Sequence, residues 1–247
     1  MTKLTNALSM LGLFAAVGCA FTALGAGLGY RFGWWHFGTG IATVADVFWI
    51  AAGTAAVCAV SVVLAVTLVN ARRALITGCA GLAIASVTAW VPYDLRMTAK
   101  ALPSIHDITT DFADPPRFVR IATLRRPDEH PVAYDGSEVA EQQQKAYPDL
   151  APLVLTAPRD KVLAAAQATL ASMGLELVEV DAAHGHIEAT ATSLLFGFKD
   201  DVVVRITDDA GVTKVDMRSK SRVGGHDFGK NAKRIRAFQS KLKAAVN

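Results

Sequence analysis

Three long apolar stretches limit what this chain can become: about Ala7 to Gly29, about Val44 to Val69 and about Ala74 to Val91. Each reaches or approaches the ~20 apolar residues that a helix needs to cross a bilayer. Residues 1–91 carry only Lys3, Arg31, Asp46, Arg72 and Arg73 as charges; the other 42 of 47 charged residues follow Val91. An apolar third joined to a water-soluble two-thirds excludes collagen, coiled coil, disulfide scaffold and intrinsic disorder. The third stretch is the shortest and competes with a soluble core helix, but Arg72-Arg73 before it and Trp90 after it mark a span.

Orientation follows from the short loops, because Lys and Arg stay on the cytoplasmic side. Lys3 precedes the first span and Arg72-Arg73 precedes the third, so the N-terminus is expected inside. Tyr30, Phe32, Trp34, Trp35, Phe37, Phe48, Trp49, Trp90 and Tyr93 all fall at the opposite interface, where amphipathic rings collect. Arg31 alone disagrees. The expectation is a multi-pass, bacterial-type inner-membrane protein whose bilayer-embedded helices leave everything after Pro92 in the periplasm. A lipidated Cys19 fits poorly, since Leu is missing three residues before it and the apolar run continues to Gly29. Gly25 and Gly29 form a small-residue pair suited to close helix approach. Asp46 lies near the predicted interface without a second ionisable residue inside the spans, which disfavours a carrier or channel.

Seven of the nine prolines lie between Pro92 and Ala151, where they remove backbone donors and oppose long regular structure. One helix, Ser137 to Ala146, is predicted. The stretch reads as a linker or as an extended belt on the next domain, and Phe112, Phe118, Val119 and Ile121 favour packing. His106-Asp107 with Asp111 has metal-like chemistry, but no third ligand follows, and Asp and Thr at this spacing also make turns. The domains are therefore 1–94, three-span; 95–151, Pro-rich; and 152–247, soluble.

From Pro152 the pattern becomes regular. Leu153–Leu155 reads as a strand. Pro158 opens a helix closed by Gly174, with Val162, Ala166 and Leu170 on one face. Strands follow at Leu175–Val180, His186–Thr192, Asp201–Thr207 and Val212–Arg222, then a helix from about Phe228 to Ala244. The order βαββββα predicts an α+β fold, an antiparallel sheet with helices on one side.

Charge is unevenly divided. Residues 92–198 hold 9 basic and 15 acidic residues, whereas residues 199–247 hold 12 and 6. Arg218, Lys220 and Arg222 alternate along the last strand and share a face. Gly224-Gly225 then leads to the last helix, where Arg234 adds charge. Two readings stand. The row pairs with acidic residues of its own domain, including Asp200, Asp201 and Asp216; or Arg218, Lys220, Arg222 and Arg234 contact an anionic lipid headgroup or cell-wall carboxylate, with Gly224 and Gly225 shaping the loop.

The segments Phe196-Gly197-Phe198-Lys199-Asp200-Asp201, Val215-Asp216-Met217-Arg218-Ser219-Lys220-Ser221-Arg222-Val223-Gly224 and Asp227-Phe228-Gly229-Lys230-Asn231-Ala232-Lys233-Arg234-Ile235 closely resemble domain-of-unknown-function family 1499. The resemblance runs from about Pro103 to Leu242. It implies an envelope or membrane-associated protein and no established activity. Many members carry Pro-Asn-Cys-Val-Ser where this chain has Pro103-Ser104-Ile105-His106-Asp107, so no role for that cysteine transfers. The arrangement also looks similar to helix-grip domains, a likeness of fold alone.

His226-Asp227, Asp200-Asp201 and His106-Asp107 are the acid–base candidates, and none forms a known catalytic signature. Asp227 reads more plainly as the cap of the last helix. The expectation is a non-enzymatic, membrane-anchored binding or assembly module of the envelope. Its expected partners are an anionic lipid or cell-wall ligand or an envelope protein, with no cofactor and no nucleic acid. The alternative is an envelope hydrolase, metal-dependent or not, using His106 and His226.

Overall fold

A computed structural model describes residues 1–68 and 70–246. Three helices come first: α1 (Thr2–Arg31), α2 (Phe37–Thr67) and α3 (Arg72–Ala101). All three are long and apolar enough to cross a membrane; at 1.5 Å per residue, 30 residues extend roughly 45 Å, beyond the ~30 Å hydrocarbon core. The second span's predicted end at Val69 lies outside the described residues. His36 caps α2, its Nδ1 accepting from the Gly38 amide at 3.1 Å.

α3 continues beyond the third apolar stretch, through Pro92 to Ala101, where the prolines are expected to oppose long regular structure. A helix-interior proline removes one backbone bond, which long apolar helices tolerate. The glycines that allow close approach also differ from those expected. A Cβ on Gly12 or Gly81 would lie 2.6 or 2.8 Å from Cys58 Sγ, so α1, α2 and α3 meet around one sulfur. Gly25 faces open space, and Gly29 makes room for the Trp35 indole, whose Nε1 donates to the Ala26 carbonyl at 3.0 Å.

Contacts divide the chain into two units, residues 1–98 with 194–197 and residues 99–193 with 198–247. Most of the proline-rich stretch therefore belongs to the second unit. That unit contains β1 (Asp107–Thr109), a 3₁₀ turn (Ile121–Thr123), α4 (Ser137–Ala146), β2 (Leu153–Leu155), α5 (Arg159–Ser172), β3 (Glu176–Asp181), β4 (His186–Thr192), β5 (Lys199–Asp209), β6 (Val212–Ser221) and α6 (Lys230–Val246). The six strands form one antiparallel sheet, ordered β1-β6-β5-β4-β3, with β2 also pairing β6. The fold is α+β.

β1 departs from the turn expected at Asp107–Asp111. Asp107, Ile108 and Thr109 pair with Lys220, Ser219 and Arg218. The turn chemistry sits one step later, where Asp111 Oδ1 accepts the Ala113 and Asp114 amides at 3.0 Å. The β5–β6 hairpin closes over Ala210 and Gly211, both at positive φ, as a two-residue loop matched to strand twist requires.

One face of the sheet carries the core. Ile187, Ala189, Val202, Val204, Ile206, Val215 and Met217 meet Val162, Leu163, Ala166 and Leu170 of α5 and Ile235, Phe238 and Leu242 of α6. Those residues recur at strand period two and helix period 3.6, which is why the two helices lie on one side.

Candidate functional site

The opposite face of the sheet is charged. Strand alternation sends Asp107, Glu188, Asp201, Arg205, Lys214, Asp216, Arg218 and Lys220 there, and residues 111–135 run over them as a belt. Phe118, Ile121 and partly buried Val132 pack on Val203, so apolar contacts seat the belt and the charges beneath it leave water.

The structure keeps Arg218, Lys220 and Arg222 on this face and surrounds them with carboxylates, but it places Arg234, on α6, at the other face of the sheet, where Ser219 and Asp200 point. Arg218 is 2% exposed. Its Nε and Nη2 donate to Asp107 Oδ1 and Oδ2 at 2.8 and 2.7 Å, and Nη2 also reaches the Val132 carbonyl at 2.9 Å. The guanidinium lies 5.1 Å from the Phe118 ring centroid and 5.3 Å from that of Tyr134. Lys220 is fully buried, its Nζ donating to the Ala133 carbonyl at 2.7 Å and pairing with Asp107 and Asp135. Arg222 donates to Asp201 from Nε and Nη2 at 2.9 Å, and Arg125 of the belt grips the same carboxylate at 2.9 Å. Arg234 donates to Asp200 at 2.7 Å and to Ser219 Oγ at 2.8 Å.

The loop positions are equally occupied. Gly224 adopts φ +85°, and its carbonyl meets His130 Nε2 at 3.2 Å. The Gly225 carbonyl accepts from Ser104 Oγ at 2.9 Å. At the start of α6, Asp227 accepts the Gly229 and Asn231 amides at 2.8 and 2.9 Å, so the domain's own carboxylate fills the place proposed for an external anion. An anion at this row would have to displace Asp107, Asp135, Asp200 or Asp201 from charge-assisted bonds. Between the two readings of the row, the geometry favours internal pairing.

The metal-like cluster does not converge. Asp107 serves Arg218 and Lys220, while Asp111 binds Arg205 and Lys214 at 3.0 and 3.1 Å. Among the described residues no three His, Cys, Asp or Glu side chains are grouped to hold a metal ion. His226 locks its own loop, with Nδ1 accepting the Phe228 amide at 2.8 Å and Nε2 facing the Leu102 carbonyl at 3.3 Å.

Glu188 is the residue most plainly missed by the sequence. Fully buried, it accepts the amides of Val119, Arg120 and Ile121 and meets His186 Nε2 at 2.8 Å. Burial pushes its pKa up, but His186 and the belt amides outweigh that and hold it below the ordinary value. Its position, alternating with Ile187 and Ala189 in a short strand, marks the polar face but not the belt it holds.

His106 lies against the His130 ring, centroids 4.0 Å apart, with Nδ1 3.6 Å from Asp135 and a buried, unpartnered Nε2. Burial, His130 and Lys220 lower its pKa, against Asp135 and Asp107, which raise it. A histidine with a lowered folded pKa binds more protons when unfolded. Its stabilising effect is complete above the unfolded value of ~6.5 and declines as pH falls toward the folded value. The urea midpoint of the second unit is therefore expected to fall between pH 7.5 and 5.5, and His106→Gln to flatten that slope. An equal slope in both proteins would contradict the assignment.

The family described as "Protein of unknown function (DUF1499)" matches residues 107–242, from β1 into α6. No curated protein matches the chain. Among solved structures, the crystal structure of TTHA0849 from Thermus thermophilus aligns at 12% identity over 39% of this chain and 97% of that one, with a TM-score of 0.24.

Proposed function

Because the chain belongs to the DUF1499 family of unknown function, matched over more than half its length, we propose a role from its architecture: a non-enzymatic binding or assembly module of the cell envelope. In this reading the three helices anchor it in a bacterial-type inner membrane with the N-terminus in the cytoplasm. The α+β domain, which we read as helix-grip-like with α6 held on the sheet, stands in the periplasm. The observation that carries the proposal is the segregation of helix ends. Exposed Phe32, Trp34, Trp90 and Tyr93 gather at one set, as an aromatic belt does, and Lys3, Arg72 and Arg73 mark the other; Arg31 at the end of α1 and Arg96 and Lys100 at the end of α3 are the basic residues on the aromatic side.

The cationic row then holds the belt on the sheet, and partners meet other surfaces of the domain. An anionic ligand at Arg218, Lys220, Arg222 and Arg234 is the competing proposal; it requires the belt to open over the first three, and Arg234, bonded to Ser219 and Asp200 on the α6 side of the sheet, would have to be reached separately. The hydrolase alternative requires His226, whose two ring nitrogens already face loop backbone, to become free for chemistry.

Topology is tested with Lys243→Cys, at an exposed position of α6, in intact spheroplasts treated with a membrane-impermeant maleimide. Labelling without permeabilisation is expected. Labelling only after permeabilisation would place the domain in the cytoplasm and overturn the proposal.

A further inference from the structure

Between α1 and α3, at the ends bearing Lys3 and Arg72, lies a cleft of about 370 Å³ lined by Asn6, Ser9, Met10, Arg73, Ile76 and Thr77. Its chemistry is graded. Arg73 and Asn6 lie nearest the helix ends. Ser9 and Thr77 form the next layer, Thr77 Oγ1 donating to Ser9 Oγ at 2.8 Å. Met10 and Ile76 supply apolar wall.

Two features of this cleft are incomplete. Asn6 Oδ1 is buried without a hydrogen-bond partner, and an acceptor left unpaired out of water gains from any donor that reaches it. The first turn of α3 contains no acidic residue, and the Arg73 guanidinium has no ion-pair partner among the described residues. A cation and an acceptor together call for a ligand that carries an anion beside a hydrogen-bond donor. The apolar wall calls for a hydrocarbon chain on the same molecule.

We propose that this cleft binds the headgroup of an anionic phospholipid whose phosphodiester is flanked by a hydroxyl, as in phosphatidylglycerol. Arg73 takes the phosphate through its two-pronged guanidinium, Asn6 Oδ1 accepts from the headgroup hydroxyl, and an acyl chain follows Met10 and Ile76. Basic pockets between membrane helices on the cytoplasmic side recognise headgroups in this way. The inference rests on the helices spanning a bilayer with these ends cytoplasmic. It is independent of what the α+β domain binds, and the topology experiment above tests that premise separately.

The test is native mass spectrometry of the delipidated full-length protein in detergent, titrated with phosphatidylglycerol, phosphatidylcholine or inorganic phosphate. One retained phosphatidylglycerol is expected, held at least about tenfold better than phosphatidylcholine, which lacks the donor and the net charge. Arg73→Gln should lose it by about tenfold or more. Arg72→Gln, which removes the same charge without lining the cleft, should retain it, and Asn6→Leu should narrow the preference over phosphatidylcholine. Should Arg73→Gln fail to insert, Arg73→Lys keeps the charge and is still expected to bind more weakly through loss of the fork. Equal retention of phosphatidylcholine, equal loss in the Arg72 and Arg73 variants, or an unchanged Arg73→Lys would overturn the proposal. Complete displacement by inorganic phosphate would assign the cleft to a free anion and overturn the lipid.

Discussion

Arg218→Met is expected to destabilise the α+β unit by about 3–5 kcal/mol, the usual cost of leaving a buried charge without its partner. Asp107 is fully buried, and Arg218 donates to both of its carboxylate oxygens, at 2.8 and 2.7 Å. Lys220 remains beside Asp107 at 3.2 Å but cannot replace a bidentate guanidinium. Met keeps the volume between Phe118 and Tyr134, so the loss reports charge more than packing. All four tryptophans lie within residues 1–98, so tryptophan fluorescence follows the wrong unit. Pulse proteolysis of the full chain across a urea series reads the α+β unit directly. The companion Asp107→Leu/Arg218→Met should recover much of the loss, because an apolar pair in place of a buried ion pair is often close to neutral. Arg218→Glu/Arg222→Glu, which places carboxylates against Asp107 and Asp201, should leave the domain unfolded. A wild-type urea midpoint for Arg218→Met would mean that the row is not holding the fold.

Glu188→Ala is expected to cost about 2–4 kcal/mol, since it strands the amides of Val119, Arg120 and Ile121 together. The effect should be local before it is global. Arg117 and Arg120 are exposed within or beside the released segment, and trypsin should cut there under conditions that leave the wild type whole. Glu188→Gln preserves the shape and one acceptor, so it should fall between the two proteins. Cleavage of Glu188→Ala at the wild-type rate would mean that the apolar contacts of Phe118 and Ile121 suffice without the carboxylate.

The parts of the fold set by local periodicity were legible in the sequence. α4 and β4 occupy the expected residues, and β2 through α6 follow in the expected order, because amphipathic spacing is written within each segment. β1 was not legible. Three residues with one apolar member cannot be told from a turn, and only pairing with β6, more than a hundred residues away, makes them a strand. The same distance hides the partner of Arg218. Alternation shows that Arg218 and Lys220 share a face, but nothing local shows that Asp107 lies opposite or that belt residues roof them both. Helix packing failed for a related reason. Gly25 and Gly29 have the familiar spacing, yet approach depends on what faces each glycine, and Cys58 faces Gly12 and Gly81.

The belt closes the charged face instead of leaving it open for a ligand, and amide hydrogen exchange of the full-length wild-type protein reads that closure residue by residue. The amides of Val119, Arg120 and Ile121 bond Glu188, and that of His130 bonds the Arg222 carbonyl at 2.8 Å. These amides are predicted to exchange as slowly as those of Val202 and Val204 in the central strand, because opening the belt would expose the buried ion pairs. Rapid exchange of residues 119–130 over a protected sheet would contradict the account and return Arg218, Lys220 and Arg222 to the role of ligand contacts.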